Sequence, residues 1–397
     1  MLNIKATKLE KTIFVITIMS TSMLGIFISD IYVPSLPSIS RDFGTSESLL
    51  AFSVTLYFFT YALAQLIYGP LSERFGRRRI FLSGMTISLF GTIITLSSIN
   101  FTMLLIGRSI EAIGMAAPMS LGRVIFRDVI HDKTQYARFM SFLGIGTLMA
   151  PVIAPIVGAF LAKLFGWRAD FVFIFILSIS CYIAALFYLK ETLLSPRKRL
   201  SAKLTLKTYL WVIRNRSFVK NMLISSTIMS AIISYFSLSP FLFEQHFGLS
   251  ELDYATVFAT GEIFLVFGMF SNGLLLKTIS IEQSQRLSVS LFVIAVIIIN
   301  IDYFFASHNL VLLMGGIMLF NYAAGMNFPT SSTLAITAFK TRLGAVGSLY
   351  GCLSMLIAGC VGGLATLSDF PADAAVTLLF SLMALICLST LIVLRKH

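Results

Sequence analysis

Long apolar runs separated by short polar clusters dominate this chain of 397 residues. A bilayer hydrocarbon core about 30 Å thick needs roughly 20 residues of helix to cross it. Measured against that length, the runs predict helices at 12–34, 47–69, 79–98, 102–126, 137–162, 169–190, 218–243, 252–277, 285–306, 309–334, 341–366 and 370–394. Their connections are short except for one, which is rich in cations: Arg197, Lys198, Arg199, Lys203, Lys207, Arg214 and Arg216. The pattern therefore divides the chain into a six-helix bundle over 1–190, a basic linker over 191–217 and a second six-helix bundle over 218–397. The expected fold class is an all-α integral membrane protein. The run that opens at residue 12 follows Lys5, Lys8 and Lys11, as in a signal peptide. It ends without a small-residue cleavage site and is read as a retained helix.

Charge placement supports the count and sets an orientation. Cytoplasmic loops of membrane proteins carry an excess of Lys and Arg. With the amino terminus inside, only Arg41, Lys163 and Arg168 of the 30 cations fall in outer loops. Arg108 lies within a helix, and all the others lie on the cytoplasmic side. Adding or removing one helix would scramble that asymmetry, so both termini are expected to be cytoplasmic. Composition agrees: charged residues make up 12% and hydrophobic ones 57%, with a mean hydropathy of +0.89. Soluble domains carry about 25% charge, so lipid must solvate much of this surface. The net charge of +12 reflects loop cations at a membrane, and no nucleic-acid partner is expected.

The loop after the second run reads Gly69-Pro-Leu-Ser-Glu-Arg-Phe-Gly-Arg-Arg-Arg79. It is expected to be a tight cytoplasmic turn, with glycine permitting the reversal and arginines held at the anionic inner leaflet. Its spacing of an acid, arginine, glycine and paired arginines resembles the loop signature of the major facilitator superfamily. Arg108-Ser-Ile-Glu-Ala-Ile-Gly114 is similar to the superfamily's Arg-x-x-Gln-Gly motif, with Glu111 in the glutamine position. Gly144, Gly146, Pro151, Pro155 and Gly158 resemble its antiporter motif, a bent helix packed closely on a neighbour. Asp30-Ile-Tyr-Val-Pro-Ser-Leu-Pro37, Phe165-Gly-Trp-Arg168, Glu191-Thr-Leu193 and the stretch from Ser239 to Ser250 look like the bicyclomycin-resistance (Bcr/CflA) group of proton-driven drug exporters. The resemblance implies the twelve-helix major facilitator fold, export driven by proton entry, and a bacterial inner membrane. It further implies that the loop acid, here Glu73, holds the cytoplasmic ends of the two halves together through the start of the eleventh helix. Gly69, Glu73, Arg74, Gly76, Arg77 and Arg78 are the corresponding gating-loop residues.

Ionisable residues inside the spans point independently to function, because each costs at least about 2.5–3.5 kcal/mol at mid-membrane. Four lie well inside: Asp30, Arg108, Glu111 and Glu262. At 1.5 Å of rise per residue they lie roughly 6–15 Å below the outer helix ends. Arg108 and Glu111, three apart, share a helix face and can pair with each other or with Asp30 across the bundle. A carboxyl whose neighbours change between two conformations binds and releases protons; Asp30, partnered by Arg108, ranks first, then Glu111, then Glu262, which alternatively contacts cargo. A static salt bridge that fixes helix packing is the competing reading. Three acids against one base favour a cationic or neutral polar substrate, and Tyr57, Tyr61, Gln65, Tyr235, Asn321 and Asn327 are candidates to line its cavity.

The expected function is proton-coupled export of small amphipathic compounds by alternating access; the alternative is a native metabolite such as a siderophore. No cofactor is expected beyond the coupling proton, and no metal site. The expected partners are a small-molecule substrate and the bilayer, with the chain itself a monomer. An enzyme is not expected: His131, His246, His308 and His397 fall in loops or at the tail, and no His-Glu-x-x-His helix occurs.

Overall fold

The structure is a computed structural model and describes residues 8–129, 133–193, 202–305, 309–339, 343–367 and 370–393. The described residues form helices and no strand. In chain order the helices are α1 (Lys8–Asp30), α2 (Leu36–Phe43), α3 (Glu47–Phe75), α4 (Arg77–Leu96), α5 (Phe101–Val129), α6 (Lys133–Phe165) and α7 (Arg168–Tyr188). There follow α8 (Ala202–Ile213), α9 (Arg216–Phe247), α10 (Glu251–Leu275), α11 (Ile281–Phe305), α12 (Leu310–Thr337), α13 (Leu343–Thr366) and α14 (Ala372–Val393). Eleven of the described helical segments are long and apolar enough to cross a membrane, and Met149–Phe165 is a shorter apolar stretch of α6.

The chain divides into two compact units, 1–45 with 56–201 and 46–55 with 202–397. In the first unit α4 and α5 lie backbone to backbone, and glycine spacing explains why. Gly84 and Gly91 on α4, like Gly107 and Gly114 on α5, recur every seven residues and so return to one face after two turns. A methyl group at Gly91 would strike the backbone of Glu111 and Gly107, and one at Gly114 the backbone of Ser88 and Gly84. Lipid gives helices no hydrophobic reason to associate, so close van der Waals approach has to supply it. The second unit repeats the device: Gly268 on α10 abuts the Tyr322 carbonyl, and Gly325 on α12 abuts that of Leu265.

Three sequence expectations shift. The first helix ends at Asp30 rather than at 34, because Pro34 and Pro37 supply no backbone N–H for the ladder; a 3-10 turn, Val33–Ser35, and α2 follow. The second helix runs on to Phe75 through Gly69 and Pro70, since membrane helices tolerate an interior proline. Of the two glycines in the expected turn, Gly76 therefore makes the reversal, while Gly69 is helical and has open space where a Cβ would go. Part of the basic linker is helical, as α8, while Arg197, Lys198 and Arg199 lie outside the described residues.

Replacing Gly91 or Gly114 by Val is expected to lower unfolding stability by about 1–3 kcal/mol through overpacking. Gly273→Val, at a site open within 4 Å, is expected to leave it unchanged. Thermal unfolding midpoints in detergent check this.

Candidate functional site

Arg108 occupies the centre of the first unit with 1% of its surface exposed. Its Nη1 donates to Glu111 Oε2 at 2.5 Å, one helical turn on, and to the Ile28 carbonyl at 3.3 Å. The guanidinium carbon stands 4.2 Å from the centre of the Tyr32 ring and 4.4 Å from that of Tyr57. Each such cation–π contact is worth about 2 kcal/mol or more when desolvated. Nε and Nη2 of Arg108 are buried without a hydrogen-bond partner. The tyrosine faces therefore carry much of the compensation for this charge.

Each wall of this box has a local cause. Ending α1 at Asp30 turns Tyr32 inward over Arg108 and leaves the Ile28 carbonyl within its reach. Tyr57 is fixed by its own hydroxyl, which donates to the Gly25 carbonyl at 2.9 Å, and Tyr61 stacks on it at 6.2 Å. Thr92 donates to Glu111 Oε1 at 2.6 Å, across the glycine-lined seam between α4 and α5. Asp30 is buried, accepts from Ser29, and lies between two residues, Ile28 and Tyr32, that both touch Arg108. The close packing of α6 on α1 supports the same region: a Cβ on Gly158 would meet the Ile31 carbonyl, and one on Gly146 the Met23 side chain. Pro151 and Pro155 are inside α6. Gly144 lies in that helix too, but its surroundings are outside the described residues.

The second unit holds a separate cluster. Glu262 on α10 is 5% exposed and accepts from Asn321 Nδ2 of α12 at 3.4 Å. Asn321 Oδ1 and the Tyr235 hydroxyl are buried without partners, and Tyr235 stacks on Phe258 at 5.8 Å. Asn327 is engaged on both sides, donating to Ser288 and accepting from Ser331, so it ties helices together. Gln65 is half-buried on α3.

The turn between α3 and α4 is built around two residues, Gly76 and Glu191. Gly76 has φ of +101°, a conformation costly for any other residue. A Cβ there would also strike the Glu191 carboxylate. That carboxylate accepts from the backbone N–H of Arg77 at 2.9 Å and of Arg78 at 3.3 Å, capping α4 where helix N–H groups lack partners. Arg77 is buried and pairs with Asp128 at 3.4 Å. Arg78 donates to the Leu186 and Leu189 carbonyls at the end of α7. Glu73 and Arg74 are exposed. The eleventh-helix start expected to partner Glu73 includes residues 340–342, outside the described residues.

With the motif loop, the buried basic–acidic pair and the helical units in view, the comparisons decide the lineage. The sequence matches the Major Facilitator Superfamily over residues 15–363. The chain belongs to that superfamily. It is a multi-pass membrane protein of the superfamily's all-helical fold. The transporter is 27% identical over 365 residues to Multidrug resistance protein D of Escherichia coli, covering 91% of each chain. It is 23% identical to the bicyclomycin resistance protein homolog of Haemophilus influenzae, over 96% of this chain and 94% of the relative. The likeness to bicyclomycin-resistance exporters read from the sequence therefore stands. A crystal structure of D-xylose-proton symporter aligns with a TM-score of 0.78 at 14% identity, over 97% of both chains, and shares the fold.

Of the residues sequence reasoning passed over, Tyr32 lay in a quoted motif without a role of its own, Thr92 had no signal, and Glu191 was noted only for family likeness. Gly76→Ala is expected to cost about 1–3 kcal/mol through backbone strain, and Glu191→Gln to weaken the cap. A slower exchange of the Arg77 and Arg78 amides in wild type than in Glu191→Gln, by hydrogen–deuterium exchange, checks the second.

Proposed function

We propose that this transporter crosses the bacterial inner membrane twelve times with both ends cytoplasmic, and exports small amphipathic compounds against proton entry by alternating access. No cofactor other than the proton is required, no covalent chemistry is performed, and the working unit is a monomer. The names of its relatives, for multidrug and bicyclomycin resistance, support the cargo class. Loop cations concentrated on one side support the orientation.

The observation that carries the coupling is the composition of the Arg108 box. Two buried carboxyls stand near one buried guanidinium in the first unit: Glu111, in direct contact with Arg108, and Asp30, flanked in sequence by residues that touch it. With both acids ionised the group would carry a net negative charge in a low dielectric, which one bound proton removes. Glu111 holds Nη1 directly, so a proton on Glu111 loosens that tie and leaves Asp30 as the remaining counter-charge. A proton on Asp30 does the reverse. Exchange between these two arrangements biases the helix break at residues 31–35, which joins the box to α2. Glu262 lies in the other unit with a neutral amide as neighbour, and we assign it to contact with the cargo, where an ionised acid attracts a cationic or hydrogen-bond-donating group. Glu73 and its loop set the rate of opening on the cytoplasmic side.

In proteoliposomes with an imposed pH gradient, wild type is expected to accumulate amphipathic drugs uphill. Asp30→Asn and Glu111→Gln are expected to insert and to retain cargo counterflow while losing uphill accumulation. Full uphill transport by both variants counts decisively against the coupling assignment. A chelator-type metabolite belongs in the same panel, and its uptake to the exclusion of every drug would change the cargo class. For Glu262→Gln, affinity for cationic compounds is expected to fall about tenfold or more, with neutral compounds little affected. Equal loss for both would transfer Glu262 to the coupling group.

A further inference from the structure

Helix α8 has one covered and one open side. Thr208 and Val212, one turn apart, are buried. Val212 joins a cluster with Phe218, Phe339 and Leu349 at the ends of α9, α12 and α13. The open side presents Lys207, Leu210, Trp211 and, in the turn that follows, Arg214. These positions follow the i, i+3, i+4, i+7 pattern of a single helix face. Leu210 is 53% exposed, Trp211 46% and the adjacent Ile213 42%. Trp211 is steadied at its inner edge by Phe339, ring centres 5.0 Å apart. This packing sets α8 level with the ends of α9, α12 and α13.

Apolar side chains at the middle of the face with cations at either end are what an interfacial helix requires. Tryptophan favours that boundary. From 202 to 216 the sequence carries Lys203, Lys207, Arg214 and Arg216 and no acidic residue, so the local field selects anions. We propose that α8 is an interfacial helix that binds anionic phospholipids of the inner leaflet, Lys207 and Arg214 engaging phosphate oxygens while Leu210, Trp211 and Ile213 enter the upper acyl region. Because α8 leads directly into α9 through the Asn215 cap, lipid bound there holds the entry of the second unit's first helix. The leaflet assignment rests on the cytoplasmic placement of the linker proposed above.

The chain contains 2 tryptophans, Trp167 and Trp211, which gives a direct readout. Full-length Trp167→Phe protein is reconstituted in phosphatidylcholine vesicles containing phosphatidylglycerol, with one or the other lipid brominated along its acyl chains. Quenching of Trp211 by both, and more strongly by brominated phosphatidylglycerol, is expected. Lys207→Gln and Arg214→Gln are each expected to reduce that preference about fivefold, the effect of one cation near an anionic surface. Trp211→Phe protein measured in parallel yields the same signal by difference from wild type, should Trp167→Phe fail to fold. Absence of quenching, or a preference that neither substitution alters, overturns the lipid site. Leu210→Cys labelled by an impermeant maleimide from the cytoplasmic side alone is expected, and labelling from the opposite side overturns the leaflet assignment while leaving the quenching result to stand on its own.

Discussion

A guanidinium at membrane depth has five N–H donors and a full positive charge to satisfy in the absence of bulk water. Much of the first unit is arranged around that demand at Arg108. The carboxylate of Glu111 meets the charge, two tyrosine rings cover its faces, and a carbonyl released at the helix break takes one donor. The glycine seam between α4 and α5 belongs to the same arrangement, since it brings Thr92 close enough to hold the second oxygen of Glu111. Removing one partner of a buried ion pair costs about 3–5 kcal/mol. A proton does this reversibly, which makes the same pair suitable for both rigidity and switching.

The second unit meets its polar obligations differently. Gln285 donates to Asn221 and Ser331, Ser331 donates to Asn327, and Asn327 donates to Ser288. A second set joins Asn272 to Ser284 and Thr330. These are neutral amide and hydroxyl ladders across α9, α10, α11 and α12, and their strength does not depend on pH near neutrality. Glu262 stands apart from them with one long hydrogen bond. The contrast between a charged box in one unit and neutral ladders in the other supports giving the two units different tasks.

The sequence reveals what depends on long-range averages and hides what depends on single contacts. Helices, their membrane character and the superfamily could be read because hydropathy and loop charge accumulate over many residues. The buried status of Asp30, Arg108, Glu111 and Glu262 could be read because charge is so rare in these spans. The end of α1 was misplaced because prolines at 34 and 37 act on hydrogen bonds several residues upstream, and the hydropathy signal continues through them. Which of Gly69 and Gly76 makes the turn was not legible, since composition cannot distinguish a glycine with open space from one with positive φ. Tyr32 and Thr92 are ordinary residues made consequential by their neighbours.

The Glu191 cap has a bearing on how this protein comes apart. Hydropathy ends the first bundle at residue 190, and a fragment cut there would contain every helix of that half. It would nevertheless lack the one carboxylate that seals the amide end of α4, and Arg78 would grip a frayed α7 terminus. The smallest self-sufficient first half is therefore defined by an electrostatic clasp and has to extend beyond its last helix into the connecting segment.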